Sequence, residues 1–136
     1  MGGPRVLIVD DNAMNIALAQ TVLLADGFEV AVAADAAAAL QQVAAFQPDL
    51  ILMDIQMPGM DGLDLTRALK ADPATRPIRI VAFTAFAMRG DEARMRAAGC
   101  DAYLSKPIEV RRFGAQVRAC LGPSAGPGQD VFKKAD

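Results

Sequence analysis

Val6-Leu7-Ile8-Val9 is an unbroken aliphatic run that stops at Asp10-Asp11-Asn12, and Leu50-Ile51-Leu52-Met53 repeats the design before Asp54. A run with no polar residue at either parity fits a strand covered on both faces, as in a parallel sheet, and not a half-solvated antiparallel strand. Ile78 to Phe83 ends at Thr84, Ala102-Tyr103-Leu104-Ser105 ends at Lys106-Pro107, and a weaker strand covers Phe28 to Ala33. Between the strands, residues 13–26, 36–46, 62–71, 88–98 and 109–121 carry helical spacing. The last is the clearest, with Val110, Phe113, Val117 and Leu121 near a 3.6-residue period and Arg111, Arg112 and Arg118 left for the opposite face. Gly27 and Gly99 follow helices, Pro48 stops one, Asp35 and Asp61 stand where N-caps belong, and Met57-Pro58-Gly59 is a turn. Five strands alternating with five helices predict an α/β fold, a doubly wound parallel sheet.

The 136 residues leave room for one ordinary domain over residues 1–121 and a short tail over 122–136, whose GPSAGPGQ stretch reads as flexible. A hydrophobic content of 53% against 22% charged residues fits a packed core and excludes a disordered chain. Fourteen Lys and Arg against sixteen Asp and Glu give a net charge of −2, without the positive field that direct nucleic-acid binding needs. With no His, the chain has neither a Ser-His nor a Cys-His pair, and any phosphohistidine in its chemistry must belong to another protein. Cys100 and Cys120 lack CxxC spacing and read as idle thiols in a reducing compartment. No apolar stretch approaches the ~20 residues of a membrane span, and MGGPR leads straight into a strand, so a cytoplasmic protein without membrane insertion is expected.

In an open α/β sheet, ligands sit beyond the carboxyl ends of the strands. That edge gathers Asp10, Asp11, Asp54, Thr84 and Lys106, three carboxylates with a hydroxyl and an ammonium. Close carboxylates repel one another, and burying them unpaired costs several kcal/mol. A divalent cation relieves the conflict: Mg2+ takes about six oxygen ligands and keeps several as water, so carboxylates, a carbonyl and a phosphoryl oxygen satisfy it. A carboxylate on the same edge can then attack phosphorus. Taken singly, Asp11 reads equally well as a helix N-cap or as a ligand, and Asp54 as turn chemistry. The methionines at 53, 57, 60, 88 and 95 read as core and loop filler.

The motifs IVDDN, LMDIQMPGMDG, TAFA and SKP, in this order over residues 5 to 121, resemble the receiver domain of two-component response regulators. The resemblance implies a flavodoxin-like sheet of strand order 2-1-3-4-5. It implies a phosphoacceptor at Asp54, Mg2+ (or Mn2+ as a substitute) on Asp10, Asp11, Asp54 and the Gln56 carbonyl, and a phosphoryl clamp from Thr84 and Lys106. It further implies Tyr103 as a switch aromatic working with Thr84, and Pro107 after a cis peptide. The donor would be a histidine kinase or histidine phosphotransferase, and the output a phosphorylation-dependent contact with a downstream protein. The stretch TAFAMRGDEARMRAAGCDAYLSKPI, residues 84 to 108, is similar to the single-domain DivK-type regulators, while the DNxxN opening at Asn12 to Asn15 is shared with receivers of hybrid kinases that pass phosphoryl along a relay.

Two rivals stay in view: an Asp-nucleophile phosphatase, which lacks its DxDGT-like strand end after Met53, and a docking module that is never phosphorylated. Nucleotide binding fits poorly, because the first strand leads into Asp-Asp-Asn where a glycine-rich loop is needed. Three further expectations concern surfaces. Ala13, Met14 and Ala17 should stay exposed near the acid edge and receive the donor. Met88, Arg89, Arg94, Tyr103 and Arg112 should form the output face. Gln56 and Phe86 should flank the approach of water to the phosphoryl group.

Overall fold

The structure is a computed structural model that describes residues 3–57, 60–84 and 89–121. Five strands, β1 (Arg5–Val9), β2 (Glu29–Ala33), β3 (Leu50–Met53), β4 (Arg79–Thr84) and β5 (Ala102–Ser105), alternate with α1 (Ala13–Ala25), α2 (Ala36–Phe46), α3 (Gly62–Ala71), α4 (Arg89–Ala98) and α5 (Val110–Leu121). All adjacent strands pair in parallel, in the order β2-β1-β3-β4-β5. A two-residue antiparallel ribbon, Gln56–Met57 against Met60–Asp61, lies between β3 and α3. The element limits agree with the sequence reading to within one residue at nearly every boundary.

The continuous apolar runs have the predicted cause, a core on each face of the sheet. Leu7, Val9, Ile51, Met53, Ile80 and Ala82 pack with Leu63, Leu69 and Met95 of α3 and α4. Val6, Ile8, Leu52, Val81, Phe83 and Leu104 pack with Ala19 and Leu23 of α1 and Phe113 and Val117 of α5. Successive residues of a strand point to opposite faces, so each parity serves one layer.

Local chemistry fixes the ends of the elements. The Asp35 carboxylate caps α2 by accepting from Ala38 N at 2.8 Å. Gly27 and Gly99 end α1 and α4 with φ of 91° and 107°, a left-handed backbone that a side chain resists. At the edge opposite the acids, Lys70 Nζ donates to Ile78 O at 2.7 Å and pairs with Asp101 Oδ2 at 3.0 Å. That oxygen also accepts from Ile80 N at 2.8 Å, which ties α3 to β4.

Three readings need correction or limits. Val110 falls on the apolar stripe of α5 by spacing but is 56% exposed; it opens the helix and borders the groove toward α1, where no strand covers it. Asp11 is not a helix cap: the α1 cap is Asn12, whose Oδ1 accepts from Met14 N and Asn15 N at 2.9 and 3.1 Å. The side chains of Gln56, Met57, Met60, Asp61 and Arg89, together with Pro58-Gly59, Phe86, Met88 and the tail 122–136, lie outside the described residues. Among the described residues, no helix is long and apolar enough to cross a membrane.

Candidate functional site

Strand parity assembles the site. Ile8, Leu52, Val81 and Leu104 all face the α1/α5 layer, and two residues further on each strand come Asp10, Asp54, Phe83 and Lys106. The register sets Val9 beside both Ala33 and Met53. The ladder then extends past the strands: Asp10 N donates to Ala33 O at 3.1 Å and Asp54 N to Val9 O at 2.9 Å. The two acids are therefore fixed by their main chains before any side-chain contact is counted. Both are buried, with Asp10 fully covered, whereas Asp11 is exposed.

One carboxylate oxygen from each of Asp10, Asp11 and Asp54 falls within 4.8 Å of the other two. Asp10 Oδ1 accepts from Asn12 N at 2.9 Å. Its Oδ2 is buried and takes no hydrogen bond, although Lys106 Nζ stands 2.8 Å away. This contact is one of charge, without the alignment that a hydrogen bond requires. The same ammonium is 3.7 Å from Asp54 Oδ2, and Lys106 N donates to Thr84 O at 2.8 Å, fixing the start of its loop against β4.

Thr84 and Tyr103 share the other parity. Register pairs Ala82 with Tyr103 and Thr84 with Ser105. Tyr103 is half-buried against the α3/α4 core, while Thr84 is buried at the end of its strand. The Lys106–Pro107 peptide is cis, as expected at Pro107. Ala13, Met14 and Ala17 are all exposed on the first turns of α1, next to the acids in sequence. Gln56 opens the two-residue ribbon two residues after Asp54.

Residues 6–118 match the family described as the response regulator receiver domain. The chain belongs to the response-regulator receiver family. It is 46% identical over 117 residues to the polar-differentiation response regulator DivK of Brucella anthropi, covering 86% of this chain and 95% of that protein, and DivK of Brucella abortus (strain 2308) matches at the same identity and coverage. Among solved structures, a response regulator described as putative from Chloroflexus aurantiacus superposes with a TM-score of 0.81 at 32% identity, covering 88% of this chain and 98% of that one. The chemotaxis response regulator CheY4 of Vibrio cholerae gives 0.80 at 25% identity, over 86% and 98%.

The receiver's acid cluster passes a chemical test for a divalent cation. A fully buried carboxylate oxygen without a hydrogen bond, beside two further carboxylates, is the all-oxygen environment that Mg2+ favours. Sequence reasoning missed two residues that shape this receiver's site. A Cβ on Gly62 would lie 2.2 Å from the Asp54 carbonyl oxygen and 2.8 Å from Ile55 Cα. That approach is a tertiary contact with no periodic signal, although glycine inside the DIQMPGMDG motif hinted at it. Phe83 lies under the Lys106 ammonium; as one apolar residue in a strand run, it carried no mark of the site.

Proposed function

We propose that Asp54 accepts a phosphoryl group from a phosphohistidine on a partner kinase or phosphotransferase, and that the receiver passes the signal on through a changed protein-binding surface. The observation that carries this reading is the buried pair Asp10 and Asp54 with Lys106 Nζ at 2.8 and 3.7 Å from them. An Asp54 oxygen attacks phosphorus, the bond from phosphorus to the partner's imidazole nitrogen breaks, and the electron pair leaves with that imidazole. Lys106 faces the negative charge that gathers on the transferring oxygens, and the Thr84 hydroxyl binds one of them once the group is in place. Asp10, Asp11, Asp54 and the Gln56 carbonyl would hold Mg2+ or Mn2+, which when bound neutralises phosphoryl charge and orients the group. The reaction is self-catalysed: the partner supplies the phosphoryl group and this chain supplies the residues that receive it.

Docking of the partner at Ala13, Met14 and Ala17 agrees with their exposure beside the acid edge. Switching through Thr84 and Tyr103 agrees with their shared sheet face. Residues 1–121 act as the receiver unit, with 122–136 appended to it; the family match over residues 6–118 lies inside that unit. The test is mass spectrometry after incubation with a phosphorylated histidine kinase and Mg2+. One phosphoryl group is expected on the parent and none on Asp54→Asn or in the presence of chelator. Full labelling of Asp54→Asn would refute the assignment.

A further inference from the structure

Lys106 touches a third group besides the two carboxylates. Its Nζ lies 5.0 Å from the centroid of the Phe83 ring. Phe83 is 1% exposed, directly precedes Thr84 in β4, and is backed by Phe113 of α5 with ring centroids 5.9 Å apart and planes tilted by 34°. The ring is thus fixed from behind and presents itself to an ammonium whose side chain is only 13% exposed. The face of an aromatic ring attracts a cation without a directional lone pair. It can therefore keep an ammonium in the cleft without dictating which oxygen that ammonium addresses.

That freedom matters because a divalent cation held by the Asp10 carboxylate would compete with Lys106 for it. The ammonium stands against Asp10 Oδ2, the buried oxygen with no hydrogen bond. When that oxygen serves a cation, Lys106 loses its nearest partner, and two positive charges so close repel each other. An ammonium on a flexible four-carbon stem would then relax toward water. An aliphatic side chain at position 83 would fill the same space and offer the displaced charge nothing.

We propose that Phe83 is a positioning residue for phosphoryl acceptance: its ring retains the Lys106 ammonium beside Asp54 when Asp10 is engaged by a cation. The inference rests on the phosphoacceptor reading of Asp54 above. It extends that reading to a residue that touches neither metal nor phosphoryl group and acts only through Lys106.

The test compares Phe83→Leu with Phe28→Leu. Phe28 is 3% exposed and belongs to the same apolar cluster, but sits at the opposite edge of the sheet, before β2. The two variants therefore suffer similar core losses, and only one of them loses the ring under Lys106. In the parent, NMR should find the Lys106 side-chain protons shifted upfield by the ring current. Phe83→Leu should abolish that shift and Phe28→Leu should preserve it. Acetyl phosphate labelling with saturating Mg2+ should slow by about three- to tenfold in Phe83→Leu, the range a cation–ring contact supports, and should stay at the parent rate in Phe28→Leu. Equal labelling rates for Phe83→Leu and parent, equal slowing in both variants, or an unshifted Lys106 in the parent would each overturn the inference. A parent that takes no label at all, while its Lys106 shift is present, overturns the phosphoacceptor reading itself and the inference with it.

Discussion

Gly62 is held to a single size by the residue it serves. The Asp54 carbonyl oxygen lies 2.2 Å from where its Cβ would be, and neither that backbone nor Ile55 can swing aside as the end of a long side chain could. Gly62→Ala should therefore cost about 1–3 kcal/mol through overpacking. It should also slow phosphoryl acceptance by about tenfold or more, because a displaced nucleophile loses its alignment. Thermal melts and acetyl phosphate labelling measured together check this, and unchanged values in both would mean that the backbone gives way freely. Cys100 poses the opposite case, a buried group outside the site. Burial pushes its thiol up to about 11 from 9.0, with the Thr66 hydroxyl bond opposing the shift. The folded state therefore keeps this proton where the unfolded chain has lost it, and stability contributed by Cys100 falls as pH rises from 9 to 11, by on the order of 2 kcal/mol. Urea melts at pH 8 and pH 10.5 should show a smaller alkaline loss in Cys100→Ala than in the parent. Cys120, raised to about 11 mainly by burial, keeps its own share of that loss. An equal loss in parent and variant would exclude Cys100 as the source. The acids, Thr84 and Lys106 were legible because polar residues at strand ends stand out against apolar runs. Asp11 and Asn12 were not separable, since either side chain can cap a helix and only the backbone geometry chooses between them.

Helix α1 is the element whose sequence says least about its burial and whose surface the proposed donor would meet. Its residues are almost all apolar or small, yet only Ala19 and Leu23 are buried. Alanine tolerates core and solvent alike, so no periodic stripe marks the buried side. Met14 is 81% exposed and Leu18 42% exposed, directly after the acids. The Asn12 cap keeps this first turn formed. Exposed apolar side chains beside a reactive edge suit a helix of a partner. Met14→Glu and Ala17→Glu should thus slow transfer from the phosphorylated kinase by about tenfold or more, a cost of ~1.4 kcal/mol or above, while acetyl phosphate labelling stays within about twofold of the parent. An equal loss with both donors would point to damaged folding. Elsewhere the elements were legible for physical reasons: β1 and β3 are apolar at both parities because helices cover both faces, and Gly27 and Gly99 mark helix ends through positive φ. Strand order came from the resemblance, since pattern gives strands without their neighbours. The ribbon at Gln56–Met57 and Met60–Asp61 escaped notice because two residues per strand hold no period.

At the scale of the whole molecule, the doubly wound sheet spends stability at one edge. Its register fixes the Asp10 main chain against β2 through Ala33 O and sets the Asp54 main chain beside β1 through Val9 O, so Asp10 and Asp54 cannot separate without breaking the ladder, and Asp11 follows Asp10 in sequence. Two like charges no more than 4.8 Å apart repel by about 3.5 kcal/mol or more at an effective dielectric of 20. The Lys106 ammonium offsets part of this at Asp10 and Asp54, and water screens exposed Asp11 to about 1 kcal/mol or less. Removing that charge should therefore stabilise the cation-free protein, since Asp11 is not the helix cap and its loss opens no turn. Asp11→Asn in chelator should melt up to about 4 °C above the parent, the shift that about 1 kcal/mol gives in a domain of this size. Mg2+ should oppose that order. At ten times its Kd, a ligand that binds only the folded state adds about 1.4 kcal/mol, so the parent's melting temperature should rise by roughly 5 °C. Asp11→Asn, short of one carboxylate, should gain much less. Melting curves of both proteins across a Mg2+ titration should start apart and converge or cross. Parallel curves, with an equal Mg2+ gain in both, would remove Asp11 from the cation site; identical melting temperatures in chelator would show that the register imposes no charge strain on Asp11.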